Sequence, residues 1–302
     1  MGSNYTFLIT LSVIFVGYIL KRAGKLTEEL GKNLSIVVIN VTLPALILST
    51  IPTIELDRSL VIAALISIIF SVAMVFLSKR LFRKDKNEAE AVLNSLGFNI
   101  GLFAYPIIEG LFGKNGLKTI AMFDFGNAII VFGVVYLVCY GYSSKGKDKP
   151  LNKKRILTLF LGSLPFMSYI VAIGLNIMDL TLPRLVGDTV LVLSKANMGL
   201  VLLVLGLNLN FTFEKSEWKI ILKVLALRYS TGLSIGLLLF FTLPFSLLYR
   251  TVILFGLILP VPVVVVPYSV EFGFNSRLSG TIANFTIIIS FIIMWLAMII
   301  IF

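Results

Sequence analysis

Apolar residues run through this chain in blocks about as long as a bilayer is thick, and two of the blocks carry prolines where a helix would have to continue. A spanning helix needs about 20 apolar residues. Ten such runs are present, over 5–20, 33–51, 59–78, 91–112, 117–141, 156–177, 187–209, 219–243, 247–270 and 278–302. In lipid every backbone polar group must be satisfied within the protein, which leaves helices and closed barrels as the spanning structures. Runs of this length predict helices, so the expected fold is an all-α polytopic membrane protein. The chain is 58% hydrophobic and only 14% charged, whereas a soluble domain carries about 25% charged residues. The connections are short and leave no room for a soluble domain.

The interruptions fall in the fourth and ninth runs. One is the stretch from Asn99 to Pro106, and the other holds Pro260, Pro262 and Pro267. Proline removes a backbone donor and clashes with the preceding turn. Freed backbone groups at membrane depth must find partners in protein or in a water-filled cavity. Paired interrupted helices in corresponding positions of two halves point to the binding site of a transporter.

Charge sets the orientation. Lys21, Arg22, Lys25 and Lys32 follow the first run, and Lys79 to Lys86 follow the third. Lys145 to Arg155 follow the fifth, Lys215 to Lys223 the seventh and Arg277 the ninth. Nineteen basic residues thus fall on one side, against five on the other: Arg58, Lys114, Lys118, Arg184 and Arg250. The basic side is expected to be cytoplasmic, which puts both termini outside. The first run has no basic residue before it and Lys21-Arg22 after it. That is the reverse of a cleavable leader.

Five spans per half would make any internal repeat inverted. Thr119-Ile120-Ala121-Met122-Phe123 resembles Thr281-Ile282-Ala283-Asn284-Phe285, and Pro106 with Glu109 resembles Pro267 with Glu271. The predicted organisation is therefore ten transmembrane helices in two inverted five-helix repeats, 1–142 and 156–302. A short basic cytoplasmic linker over 143–155 joins them, and helices 4 and 9 are broken. The chain has no histidine and one cysteine, Cys139. It lacks the commonest general base and metal ligand, and no nucleotide-binding motif is present. These absences argue against an intramembrane enzyme and against an ATP-driven pump, and they predict no cofactor and no metal. The basic residues lie in loops between spans and not on one soluble face, which argues against nucleic acid as a partner.

Several motifs together resemble the auxin efflux carrier family. They are Asn40-Val41-Thr42-Leu43-Pro44-Ala45-Leu46, Asn99 through Pro106 followed by Gly113, Phe123-Asp124-Phe125-Gly126-Asn127, Gly206-Leu207-Asn208-Leu209 and Glu271-Phe272-Gly273-Phe274. The resemblance covers essentially the whole chain, which lacks a long central loop and is similar to compact prokaryotic members. It implies helices 4 and 9 crossing at mid-membrane, a plan shared with bile acid–sodium symporters. It also implies a scaffold of spans 1, 2, 6 and 7, a moving domain of spans 3–5 and 8–10, and a homodimer through the scaffold. The implied activity is export or permeation of a small organic anion such as a carboxylate. The chain departs from the family over Val263–Val266, where a small polar residue or asparagine often follows the proline.

The candidate residues follow. Asn99, close to the first break, can bind a carboxylate or cap freed backbone. Asn40, Pro106, Pro260 and Pro262 are placed with it at the expected crossing. Lys195 either attracts an anion there or snorkels outward. Asp124 lies deep in a span, where an ionisable residue is a functional hypothesis by default. It carries a coupled proton, or it pairs with Arg228 or Lys195. Arg228, too deep for easy snorkelling, requires a partner, and Asp124 is the first choice. Glu109 and Glu271 follow the prolines, and interfacial solvation is the plain reading of both. Asn127, Asn197 and Asn284 are read as interhelical hydrogen-bonding residues. Together these predict a secondary transporter in a cell membrane, driven by membrane potential or by a proton. A sodium-coupled symporter of the bile-acid type is the alternative.

Overall fold

The computed structural model describes residues 3–55, 57–143, 153–210 and 217–302, and among them every regular element is helical. Lys145, Lys147, Lys149 and Lys215 and most of the predicted linker lie outside the described residues. The helices are α1 (Ser3–Arg22), α2 (Glu28–Thr53), α3 (Arg58–Leu81), α4 (Glu88–Leu93) and α5 (Ile100–Tyr142). They continue with α6 (Lys153–Gly162), α7 (Leu164–Ile177), α8 (Arg184–Asn208) and α9 (Trp218–Thr242). The last are α10 (Leu247–Leu257), α11 (Val265–Phe272) and α12 (Ser276–Ile301).

Among the described residues seven helices are long and apolar enough to cross a membrane, or eight when α6 and α7, bent by 68° at their junction, count as one span. The difference from ten runs has two physical causes. First, α5 is 43 residues long, which at about 1.5 Å per residue is roughly twice the ~30 Å hydrocarbon core. Its backbone turns at Gly113 (φ 55°, ψ −148°), a conformation open to glycine and costly for other residues. The fourth and fifth runs therefore form the two limbs of one long helix. Second, the fourth and ninth runs are not continuous helices. Residues 94–99 separate α4 from α5, and residues 258–264 separate α10 from α11.

Lipid-compatible surface lies outside. Phe76, Leu185 and Ile300 are 70%, 80% and 84% exposed, which in water would be a large apolar patch. Inside, helices approach closely where glycine removes the side chain. A Cβ on Gly206 of α8 would overlap the Ile14 carbonyl of α1, and one on Gly17 of α1 would overlap the Leu203 carbonyl of α8. Small residues at such contacts let van der Waals packing hold membrane helices together. On the far side of α2, Asn176 of α7 donates to the Ile51 carbonyl at 2.9 Å and to the Ile54 carbonyl at 2.6 Å. Asn208 of α8 donates to the Ser35 hydroxyl of α2 at 3.1 Å and joins the two pairs, so that α1, α2, α7 and α8 are linked.

Three turns are π-helical: Val38–Thr42, Ile100–Ala104 and Ile130–Val134. The first two end one residue before the one that precedes a proline, Pro44 or Pro106. A proline ring crowds the carbonyl four residues earlier. In the wider π turn the Leu43 and Tyr105 N–H groups bond five residues back, to the carbonyls of Val38 and Ile100. Overpacking costs about 1–3 kcal/mol, so Gly206→Ala is expected to lower the melting temperature of the detergent-purified protein. Gly199→Ala, on the same helix with no atom near its added methyl, serves as the control.

Candidate functional site

The two helix breaks meet. The Asn99 N–H donates to the Pro260 carbonyl at 2.9 Å. This single backbone bond joins the residue that opens α5 to the proline after α10. Arg228 of α9 spans both breaks. Its guanidinium donates to the carbonyls of Asn94 (3.3 Å) and Gly97 (3.1 Å) in the first break and of Leu259 (3.0 Å) in the second. The same group lies 5.5 Å from the Phe98 ring centroid. Asn127, on the second limb of α5, acts as a surrogate peptide. It accepts from the Phe98 N–H at 2.9 Å and donates to the Phe98 carbonyl at 3.0 Å. Two hydroxyls of α12 do the equivalent for the second break. Thr286 accepts from the Val261 N–H at 3.1 Å, and Ser290 donates to the Ile258 carbonyl at 2.6 Å. Unsatisfied backbone in hydrocarbon costs several kcal/mol per group, which accounts for this density of polar side chains.

The expected ion pair between Asp124 and Arg228 is not formed. Helix breaks free carbonyls, and a guanidinium satisfies three of them here in place of one carboxylate. Asp124, 8% exposed, is held by neutral donors. Its Oδ2 accepts from the Tyr169 hydroxyl at 2.7 Å and the Tyr105 hydroxyl at 3.3 Å, and its Oδ1 from the Asn127 amide at 3.2 Å. The two tyrosine hydroxyls also contact each other.

Two cavities lie against this polar centre. The smaller, of about 130 Å³, is lined by Asn99, Asp124, Asn127, Tyr169 and Pro262. Each of the three π turns contributes to its wall: Ile39 lies in the first, Gly101 in the second and Val131 in the third. Such turns recur at functional sites because they re-aim side chains. The larger cavity, of about 640 Å³, has Glu28, Lys32 and Arg277 among its lining residues, with Ser35, Asn208, Asn210, Thr281 and Asn284 set among apolar side chains. Asn99, Leu102 and Val263 line both. Asn99 therefore sits where the two spaces adjoin. Its Oδ1 accepts from the Leu102 N–H at 3.2 Å and starts α5. Its Nδ2 is buried with no hydrogen-bond partner. One end of the amide is thus committed to the backbone while the other is an unused donor.

The remaining candidates are placed as follows. Pro106 is buried in the first turns of α5 and lines neither cavity. Asn40 is exposed and donates to the Ile36 carbonyl on its own helix. Lys195 is exposed on α8. The inward residue of that stretch is Asn197, which accepts from the Thr42 hydroxyl at 2.8 Å. Asn40 is thus not at the crossing and Lys195 takes its outward reading, while Thr42 and Asn197, two residues further along each helix, meet inside. At about 100° per residue, a shift of two turns a side chain to the opposite face. Glu109 and Glu271 are partly buried and line neither cavity. Asn284 donates to the Asn210 carbonyl and lines the larger one. Tyr105 and Tyr169 were not among the sequence candidates. A single tyrosine within an apolar helix has no spacing signal, although Tyr105 does stand directly before Pro106.

The family model described as membrane transport protein matches residues 5–298. The chain belongs to this family. The match bears out the resemblance to auxin efflux carriers and makes the chain a multi-pass membrane transporter. It is similar to an uncharacterized transporter of Methanothermobacter thermautotrophicus, 29% identical over 221 residues and 70% of each chain. It is also similar to an uncharacterized transporter of Methanocaldococcus jannaschii, 29% identical over 215 residues, 67% of this chain and 68% of that one. Both relatives are archaeal, as the resemblance to compact prokaryotic members implies.

In this transporter, truncating Arg228 leaves three break carbonyls without their donor. Each unmade buried bond costs about 1–3 kcal/mol. Arg228→Met is expected to lower the melting temperature more than Asn40→Ala, whose side chain makes one bond at an exposed position. Thermal denaturation of the two variants in the same detergent measures the difference.

Proposed function

We propose that this protein is a secondary transporter of a small organic anion, with Asn99 as the residue that reads the carboxylate. The unused Nδ2 donor of Asn99, buried between two cavities, carries this reading. A buried donor without an acceptor costs about 1–3 kcal/mol, and a carboxylate oxygen removes that cost. The start of α5 at Asn99 adds N–H groups and the positive end of a helix dipole beside it. Arg228, behind Phe98, adds a fixed positive charge to the same region.

The ten-span plan accommodates these features. The limbs of α5 on either side of Gly113 count as two spans, α4 continues into the first limb, and α10 continues into α11. The two halves then become inverted repeats whose broken helices, 4 and 9, cross where Asn99 meets Pro260. Helices α1, α2, α7 and α8 form the scaffold, which would also carry a homodimer contact. The other helices form the moving part that exposes the site to each side in turn. The larger cavity is lined by Lys32 and Arg277, which belong to the basic-rich side, so it opens to the cytoplasm and both termini face out.

Driving force comes from membrane potential or from a proton. Moving one charge through 100 mV is worth about 2.3 kcal/mol. The bile-acid-type alternative needs several hard oxygen ligands for sodium, and the second break offers Val263 and Val264 at the cavity wall. Purified protein screened by thermal shift against mono- and dicarboxylates is expected to be stabilised by at least one anion. Asn99→Ala is expected to weaken that anion about tenfold or more, since a hydrogen bond to a charged group is worth ~1.5–3 kcal/mol. Uptake of the same anion into vesicles is expected to be equal with and without a sodium gradient. A sodium requirement would favour the alternative, and an Asn99→Ala variant with unchanged affinity would remove the carboxylate role.

A further inference from the structure

The Asp124 carboxylate shares the wall of the 130 Å³ cavity with Asn99, and its hydrogen-bond partners among the described residues are all neutral. The groups that face it can be named element by element. The first limb of α5 supplies the Tyr105 hydroxyl, the second limb the Asn127 amide, and α7 the Tyr169 hydroxyl. From α2 come the apolar Ile39 and Leu43, and from the second break Pro262, Val263 and Val264. The cations considered as partners point elsewhere. Arg228 is bonded to three backbone carbonyls and lies over Phe98, and Lys195 is exposed on α8.

Two consequences follow from elementary electrostatics. A carboxylate in such a site, once joined by a substrate anion at Asn99, would leave two negative charges in one small low-dielectric space. Like charges that close do not both remain ionised. The cheapest relief is a proton on the carboxylate. The hydrogen-bond partners suit both charge states, because a tyrosine hydroxyl can donate or accept. With Asp124 ionised, both hydroxyls donate to Oδ2. With Oδ2 protonated, its new O–H donates to the Tyr169 oxygen, while Asn127 continues to donate to Oδ1. The contact also bridges helices, since Tyr169 is on α7 and Asp124 on α5. A change of protonation is therefore felt at the α5–α7 contact.

We propose that Asp124 is a proton-exchange site that fills when the substrate anion binds, so that anion and proton cross together as a neutral pair. The proposal rests on the anion site at Asn99. In the step itself a hydronium at the open mouth gives its proton to Oδ2, one O–H bond forms there, and water is released. The reverse occurs on the opposite side, and no covalent intermediate or electron transfer is involved. Membrane potential then contributes little, and the proton gradient carries the work.

The test uses the full chain in detergent, weakly buffered with a pH indicator, and two probes, benzoate and malate. For a bound probe, the wild-type protein is expected to take up a proton for each anion. That uptake, and a fall in affinity of about tenfold per pH unit, are expected between the carboxyl's midpoint without anion and its higher midpoint with anion, the slope given by one linked proton. Asp124→Asn is expected to bind the anion without uptake and with little pH dependence, and Asp124→Glu to restore uptake. Binding without proton uptake in the wild type, or unchanged uptake in Asp124→Asn, overturns the proposal while leaving the anion site intact. If Asp124→Asn does not fold, the wild-type proton count decides. If neither probe binds, infrared titration of the protein decides the proton site separately. A protonated-carboxyl stretch that titrates with pH and is missing from Asp124→Glu at its wild-type frequency supports it, and titrating carboxyl bands that are identical in the wild type and Asp124→Glu overturn it.

Discussion

The guanidinium of Arg228 is the interaction on which the centre of this transporter depends. Two chain segments abandon the helix at membrane depth, and each leaves carbonyls that lipid cannot satisfy. One planar cation with several fixed donors bonds to Asn94 and Gly97 on one side and Leu259 on the other. Neutral side chains complete the arrangement, Asn127 at the first break and Thr286 and Ser290 at the second. With these partners the irregular backbone can be buried, and the breaks can meet directly at Asn99 and Pro260.

The division of polar labour explains the chemistry that is left over. Because Arg228 is committed to backbone, Asp124 has only neutral partners. Because Asn99 uses its oxygen to start α5, only its amide nitrogen remains to meet a ligand. The three π turns widen their helices around the smaller cavity, so that Asn99, Asp124 and Tyr169 share one wall. An unpartnered donor and an unneutralised carboxylate are thus neighbours. That is the pairing on which the proposed co-transport of an anion and a proton rests.

Some of this was readable in advance, for definable reasons. Proline acts through its own backbone, so Pro260 and Pro262 marked the second break directly, and Asn99 marked the end of the first. The depth of Asp124 and Arg228 followed from their distance to the span ends. The partner of Arg228 did not, because a carbonyl freed by a break belongs to every residue type and leaves no mark in the sequence. Asn40 and Lys195 were misplaced for a different reason. Asn40 lies within a π turn, where an extra residue shifts the helix phase and Thr42 faces inward, while on α8 the buried face passes through Asn197 and leaves Lys195 outside. The division at Gly113 was readable too, because the apolar pattern breaks between 112 and 117, and there the backbone turns.

The sequence by itself determined that this chain lies in a bilayer as helices, where the helices are interrupted, and which family it belongs to. These properties rest on local facts: the apolar content of each run, the missing N–H of proline and the order of short motifs. The tertiary structure decided which polar groups are spent and which are free. That outcome depends on distances between residues as far apart as Asn94 and Arg228, or Tyr169 and Asp124. Hydrogen bonds at such separations are chosen by packing, and packing is a property of the folded chain as a whole.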